Sequence, residues 1–416
     1  MSELSKFISY ILKSKLVVLG FIIYFLLNIS ALTTHFLDFF FFGSSIHHCC
    51  QGLDFYQIPN AAYAFINGGG LDGKLLSGFD PYAKNYVTNL NVYHPLLTII
   101  LGGVLILTAP EISINLWTLC KIFITLFSVF YIYKNFRYNK YLSFAIFIFL
   151  IFFSQYNEIK ISQFQFLFNI FILYFLISVS KNKNKIEGGA LYFLTLIAKP
   201  VSLLFIPVLI IKREKTIAIV GLLIFLVSTL TFNILGLGSY YTNNIYYHLL
   251  SPIATKGIDF LSLDALLRNG FGISVNTVKV IKMATLISIY LISIDKKIKI
   301  EKSFFLLVIY FLFFYDLIFQ YHFSVLGPVL AICLLTLEEF QSKISKILIL
   351  IISLPNTFFI FRILNIGIIS DKVLGTDPTF ETWRTVSLLQ ILPIILLTAI
   401  VLTPDIKRYL KLFIKL

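Results

Sequence analysis

Charge is scarce in this sequence: 13% of its 416 residues are Asp, Glu, Lys or Arg, whereas 58% are hydrophobic. Soluble domains carry about 25% charged and about 45–50% apolar residues, so a water-soluble globular chain is excluded. Cysteine is nearly absent as well. Cys49 and Cys50 are adjacent, while Cys120 and Cys333 sit inside apolar runs, and these four positions supply neither a disulfide framework nor a CxxC metal spacing. The N-terminal stretch "MSELSKFISYILKSK" is basic and amphipathic. The apolar run behind it lacks a small-residue cleavage site, which favours an uncleaved first helix over a signal peptide. Internal repeats and low-complexity linkers are missing too, so neither a solenoid nor a tethered array is expected.

What the chain has instead is apolar length. Runs of about 17–25 residues recur from end to end, each able as a helix to cross a hydrocarbon core of about 30 Å. In lipid only helices and closed barrels satisfy the backbone. The expected fold class is therefore an all-α polytopic membrane protein, with about 11–13 transmembrane helices in a single domain over residues 1–416. The net charge of +14 comes from short Lys/Arg clusters between the apolar runs, as in cytoplasmic loops, so membrane orientation accounts for it and no nucleic-acid partner is required.

The first span is expected over 16–34, with Lys6, Lys13 and Lys15 holding the N-terminus in the cytoplasm. Residues 35–92 then form a large first extracytoplasmic loop and 237–275 a second. Segments 155–163, 315–322 and 362–384 are also expected outside. The basic clusters at 134–140, 181–185, 212–215 and 295–302 are cytoplasmic turns, and the tail 407–415 reads as a basic amphipathic helix on the inner surface. Residues 93–133 look like two helices broken at "APEIS", one of them re-entrant. Residues 189–211 carry Lys199-Pro200 at their centre, which leaves open two half-helices or a single span.

On this scheme the polar residues beside the apolar runs collect on one side. The first loop holds Asp38, His47, His48, Asp54, Tyr56, Asn60, Asp72 and Asp80, and "NVYHPLL" leads back into the membrane with Tyr93 and His94. Later segments add Gln163, Gln165, Lys199, Asp264, Arg268, Asp316, Gln320 and His322. Ionisable groups at membrane depth cost several kcal/mol unless paired or facing water, so their presence proposes a site. A carboxylate with several cations at a lipid-accessible surface suits sugar transfer from a lipid phosphate: the acid takes the proton of an acceptor hydroxyl and the cations hold the departing phosphate. His47-His48 and Cys49-Cys50 invite a metal reading, but consecutive side chains rarely converge on one ion.

Four stretches, in order, carry a resemblance to a known family. "DFYQIPNAAYAFINGG" with "GFDPYAKNY" and "VYHPLLTIILG" resembles the first-loop pattern of glycosyltransferase family 87. "ISQFQFLFNIFILYFL" resembles its Gly-Gln-x-Asn helix, "GGALYFLTLIAKPVSLLFIPVLIIKRE" its Gly-rich helix with Lys-Pro, and "YDLIFQYHFSVLGPVLAI" its late His-containing helix. The likeness covers roughly residues 50–335. It departs from the pattern at Ser162 in place of Gly, Gln165 in place of Asn, His94 in place of the first Pro, and a single His in "YHF".

The resemblance implies a GT-C-type helical bundle and a polyprenyl-phosphate-linked sugar donor, often a mannosyl donor. Transfer would be inverting, to a lipid or glycan acceptor at the extracytoplasmic face of the cell membrane. In that reading Asp54 is the general base, with Asp38 its rival; Lys199, His322, Arg268 and Gln163 bind the donor; and Tyr56, Asn60, Tyr93 and His94 line the acceptor pocket. An unperturbed Asp, with a pKa of about 3.9, is a weak base at neutral pH, so the proton moves late, after the hydroxyl oxygen has begun to bond. A monophosphate donor requires no metal where these cations neutralise it, a divalent cation being the alternative. The rival functions are a lipid or sugar transporter or flippase, a multi-span polysaccharide polymerase or ligase, and a non-catalytic structural subunit.

Overall fold

Helix α1 (Glu3–Lys13) starts where the Ser2 hydroxyl accepts the Ser5 N–H at 3.2 Å, the side-chain cap that satisfies one of the first-turn donors. Non-helical Ser14 separates it from α2 (Lys15–Thr33), the first long apolar span. The computed structural model describes residues 2–33, 55–75, 79–83, 91–250, 261–315, 318, 320–354 and 380–414, and among these no strand occurs. The chain is an all-α polytopic membrane protein.

After α2 come α3 (Gln57–Ile66), α4 (Pro95–Leu105), α5 (Pro110–Phe136), α6 (Leu142–Ile151), α7 (Ser154–Ile161) and α8 (Gln165–Ser180). The second half holds α9 (Lys185–Ala198), α10 (Pro200–Ile211), α11 (Lys215–Ile234), α12 (Ser239–Leu250), α13 (263–270) and α14 (Val275–Ile294). It ends with α15 (Ile300–Phe314), α16 (Tyr321–Thr336), α17 (Lys343–Ser353) and α18 (Phe380–Ile414).

Among the described residues five helices are long and apolar enough to cross a membrane, α2, α5, α11, α14 and residues 388–411 of α18, or six if α6 and α7, bent by 44° at their junction, form one span. This is fewer than the 11–13 expected from apolar runs, because much of the apolar length goes into shorter helices. The long helices are only 17–44% buried and present side chains such as Phe123, Leu223 and Met283 outward. By contrast α6, α15 and α16 are buried almost all round. A helix apolar on every face belongs inside a bundle, and here the short helices form the core while the long ones surround it.

Close approach between α9 and α11 depends on glycine. A Cβ on Gly221 would stand 2.5 Å from the Tyr192 ring and 2.9 Å from the Gly189 carbonyl, so small residues set that spacing. Near α3, a Cβ on Gly102 would lie 2.6 Å from Ala62 Cβ and 2.9 Å from the Ile58 carbonyl. Gly102 thus lets α4 dock on α3.

Two expectations change, and two open readings are resolved. Residues 155–163, expected as an external loop, form the buried helix α7, whose polar groups are held by protein partners: Lys160 Nζ donates to Ala31 O (3.3 Å) and Glu158 Oε1 accepts the Phe166 N–H (3.1 Å). The basic tail is not a separate surface helix but the end of the continuous α18. Its Arg408 pairs with Asp295 at 2.5 Å, and Asp405 meets the buried Lys302, which also contacts Glu339 at 2.8 Å. In 93–133, α4 is roughly 16 Å long at 1.5 Å per residue, too short to span, while α5 is a full span. Residues 189–211 resolve into the two half-helices α9 and α10, broken at Lys199.

Candidate functional site

Lys199 is where α9 has to stop. Pro200 has no N–H and disfavours helical geometry in the residue before it, and Lys199 is extended at φ −150°, ψ 115°. The break points its side chain back into the bundle. Nζ donates to Gln165 Oε1, with the ring centres of Phe311 at 5.1 Å and Phe168 at 5.9 Å. Gln165 Nε2 donates to Asn169 Oδ1 (3.0 Å), Asn169 Nδ2 to Ser324 Oγ (2.7 Å), and Ser324 Oγ to the Tyr321 carbonyl (2.5 Å). Every bond in this track points away from the ammonium, so its dipoles reinforce one another.

His322 joins the same place. Its ring lies 4.3 Å from Tyr321 and 6.2 Å from Phe311, the ring that also flanks Lys199. Beneath the track Glu158 caps α8 and acts electrostatically on both Lys199 and Lys121. Lys121 Nζ donates to the Glu158 carbonyl at 3.1 Å. Lys121, Glu158, Asn169 and Ser324 line a cavity of about 20 Å³, room for about one water.

A second cluster gathers around Phe164. Its ring is met by Phe55 at 6.1 Å, Tyr93 at 5.4 Å and Trp117 at 5.0 Å, and Phe55 packs edge-on to Tyr56 at 5.1 Å. Gln163 is buried in the turn just before Phe164. That turn has Ser162 in the left-handed region at φ 54°, its hydroxyl donating to Ile159 O at 2.8 Å. A non-glycine residue costs about 1–2 kcal/mol there, which is the physical reason a glycine suits the position.

The structure thus brings Lys199 and His322 together at one ring, and Tyr93 and Gln163 together at Phe164, one residue from Gln165, with Tyr56 reaching the same cluster through Phe55. Other expected site residues are engaged elsewhere. Asn60 donates to Asp80 at 3.1 Å, in a loop where burial pushes the Asp80 carboxyl up against the lowering effect of the Tyr82 and Ala83 N–H groups. His94 is fully buried: Nδ1 accepts the Leu96 N–H at 3.1 Å to cap α4, and Nε2 lies 3.2 Å from Thr229 Oγ1. Arg268 grips Asp264 through Nε (2.9 Å) and Nη2 (3.0 Å). Asp54, Asp38, His47, His48 and Asp316 lie outside the described residues, Phe55 being the first described after Asp54.

Sequence reasoning passed over Asn169, Ser324, Glu158 and Lys121. Two signals pointed to them: the i, i+4 spacing of Gln165 and Asn169 on one helix face, and a lone Lys121 inside the apolar run "LWTLCKIFITL". Among the described residues no three His, Cys, Asp or Glu side chains gather as metal ligands. No family model, curated protein or solved structure matches the chain.

Proposed function

We propose that this protein is an inverting membrane glycosyltransferase that moves a sugar, mannose being the first candidate, from a polyprenyl phosphate to a lipid or glycan acceptor at the extracytoplasmic face of the cell membrane. One observation carries the reading: an ammonium, Lys199, is set at a helix break between two aromatic rings with a neutral amide as its hydrogen-bond partner. Among the described residues no carboxylate lies within ion-pair distance of it, Glu158 acting on it only from farther off. A lysine kept in such a place favours an anion as its missing partner, and a lipid phosphate suits a site inside the bundle.

In this reading the acceptor hydroxyl attacks the anomeric carbon from the face opposite the phosphate. As the new C–O bond forms, the bond to the phosphate oxygen breaks and its electron pair stays on the phosphate. Asp54 takes the hydroxyl proton, and Lys199 and His322 hold the leaving phosphate. Tyr56, packed on Phe55, and Tyr93, packed on Phe164, offer the aromatic surface on which a sugar ring stacks. Arg268 belongs to the donor pocket only if the donor displaces Asp264. The test is the purified protein assayed with a panel of labelled polyprenyl-phosphate sugars: release of polyprenyl phosphate together with a labelled product supports the reading, and a panel without turnover removes it.

A second reading has an observation of its own. Interrupted helices at Lys199 and between α6 and α7, with Glu158, Lys160 and Lys121 buried beside them, are also what transporters use at a mid-membrane substrate site. Uptake or flipping of an intact lipid-linked sugar by reconstituted protein, without cleavage, would favour it.

A further inference from the structure

The end of the bundle that carries the Lys/Arg clusters holds a large cleft that the proposed transfer reaction does not use. It has a volume of about 1100 Å³ and is framed by the ends of α5, α8 and α16 and the starts of α1 and α15. This exceeds the roughly 300–1,000 Å³ of common ligand pockets. Its charged lining is Lys134, Arg137, Lys181, Lys299, Glu3 and Glu301, an excess of two positive charges from four cations and two acids.

The cations are unequally engaged. Lys299 donates to the Thr336 carbonyl at 2.7 Å, covering the end of α16. Arg137 faces Glu3 at a long 3.4 Å, and Glu3 is shared with Lys6 at 3.2 Å. Lys134 makes no hydrogen bond or ion pair with a described residue. Lys181 lies 4.0 Å from the Phe136 ring centre, likewise without a carboxylate, and burial pulls its ammonium pKa down. Two cations without an ion-paired carboxylate among the described residues therefore face one space, Lys134 acting on Glu3 only from a distance.

The level of the cleft in the bilayer follows from α1, whose Glu3 stands at its rim. The inner face of α1 packs Phe7 on Phe130 and Tyr133, each at 5.2 Å. Its outer face exposes Leu4, Ile8 and Leu12 at i, i+4 and i+8. An exposed apolar stripe on a basic amphipathic helix beside a membrane span lies in the headgroup region. We propose that this cleft binds the phosphate headgroup of an anionic phospholipid, with Lys134, Lys181 and Arg137 supplying the charge.

The test uses the full chain, purified and delipidated, with native mass spectrometry counting retained phosphatidylglycerol against phosphatidylcholine. Wild type is expected to prefer phosphatidylglycerol. The double variant Lys134→Gln/Lys181→Gln should lose about 30-fold of that preference, since each cation near an anionic headgroup contributes on the order of 1 kcal/mol and about 1.4 kcal/mol is tenfold, and Lys134→Arg/Lys181→Arg should keep it. A control that removes two exposed cations outside the cleft, Lys215→Gln/Lys343→Gln, should also keep it. Equal loss in cleft and control variants would reduce the effect to surface charge and overturn the proposal, as would no loss in the cleft variant. Inorganic pyrophosphate displacing phosphatidylglycerol from wild type at equimolar concentration would overturn the lipid assignment in favour of a soluble phosphate.

Discussion

Lys199→Met is the most direct test of the transfer reading. Methionine keeps an unbranched stem of similar length and removes the charge, together with the hydrogen bond to Gln165. A hydrogen bond to a charged group is worth about 1.5–3 kcal/mol. At about 1.4 kcal/mol per tenfold, losing the bond that Lys199 makes to the donor phosphate in the proposed reading weakens donor binding by about 10- to 150-fold. Stability should move much less, because two effects oppose. Leaving Gln165 Oε1 without its donor costs about 1–3 kcal/mol, whereas the fold no longer has to hold an ammonium away from bulk water. Lys199→Arg keeps the charge and should retain part of the affinity.

A second substitution separates electrostatics from packing. Gln165→Glu gives Lys199 a carboxylate of its own at nearly constant shape. The ammonium is then satisfied before the donor arrives, and the new negative charge repels the phosphate. Donor affinity should fall at least as far as in Lys199→Met, with the melting temperature near wild type because the new ion pair is offset by the lost Nε2 hydrogen bond to Asn169. The assay is equilibrium binding of a fluorescent polyprenyl monophosphate to protein in nanodiscs, with melting temperatures recorded on the same samples. Wild-type affinity in both variants would falsify a phosphate role and leave Lys199 as a lysine whose stem lies along apolar surface while its head reaches a polar neighbour.

Three further outcomes are expected. Asp54→Asn should leave folding and donor binding near wild type and cut transfer by about 10²–10⁴-fold, while Asp38→Asn keeps most activity; the reverse pattern in matched turnover assays moves the base to Asp38. Gly102→Val should destabilise the docking of α4 on α3 by about 1–3 kcal/mol through overpacking, because a Cβ there already meets Ala62 Cβ at 2.6 Å; an unchanged melting temperature would refute that packing. In a cysteine-free background of intact cells, Lys74→Cys should react with an impermeant thiol reagent and Lys297→Cys should not, both side chains being exposed in the fold; labelling at 297 alone would invert the orientation.

Much of this architecture was legible because lipid simplifies the code. The first span came within a residue of its place, 16–34 against Lys15–Thr33, since a run preceded by lysines and lacking internal charge has one cheap conformation. Lys199-Pro200 marked a helix break for a local reason that no tertiary contact overrides, the missing N–H of proline. Helix α7 was misread because "SQYNEIKI" has the polarity of a loop. Its place is decided by partners distant in sequence: Ala31 takes the Lys160 ammonium, and Lys121 reaches the Glu158 carbonyl. Polarity in one segment says that its groups need partners, and only the assembled bundle says whether water or protein supplies them.

The same distinction separates the site residues. Arg268 and Asn60 were selected by residue type and position beside the membrane, yet each has a carboxylate neighbour in the fold, Asp264 at 2.9 Å and Asp80 at 3.1 Å. Lys199 was selected on similar grounds and has an amide and two rings instead. A cation already bonded to a buried carboxylate gives up that pairing before it can take a phosphate, and breaking such a pair costs about 3–5 kcal/mol. A cation bonded to a neutral amide gives up far less and exchanges it for a full opposite charge. The affinity available to an incoming phosphate is therefore greatest where the fold has left the charge least compensated. On that argument Lys199→Met should weaken donor binding and Arg268→Gln should chiefly lower the melting temperature by leaving Asp264 without its guanidinium; a donor-binding loss confined to Arg268→Gln would show that the Asp264 pair opens on binding and would transfer the phosphate site to α13.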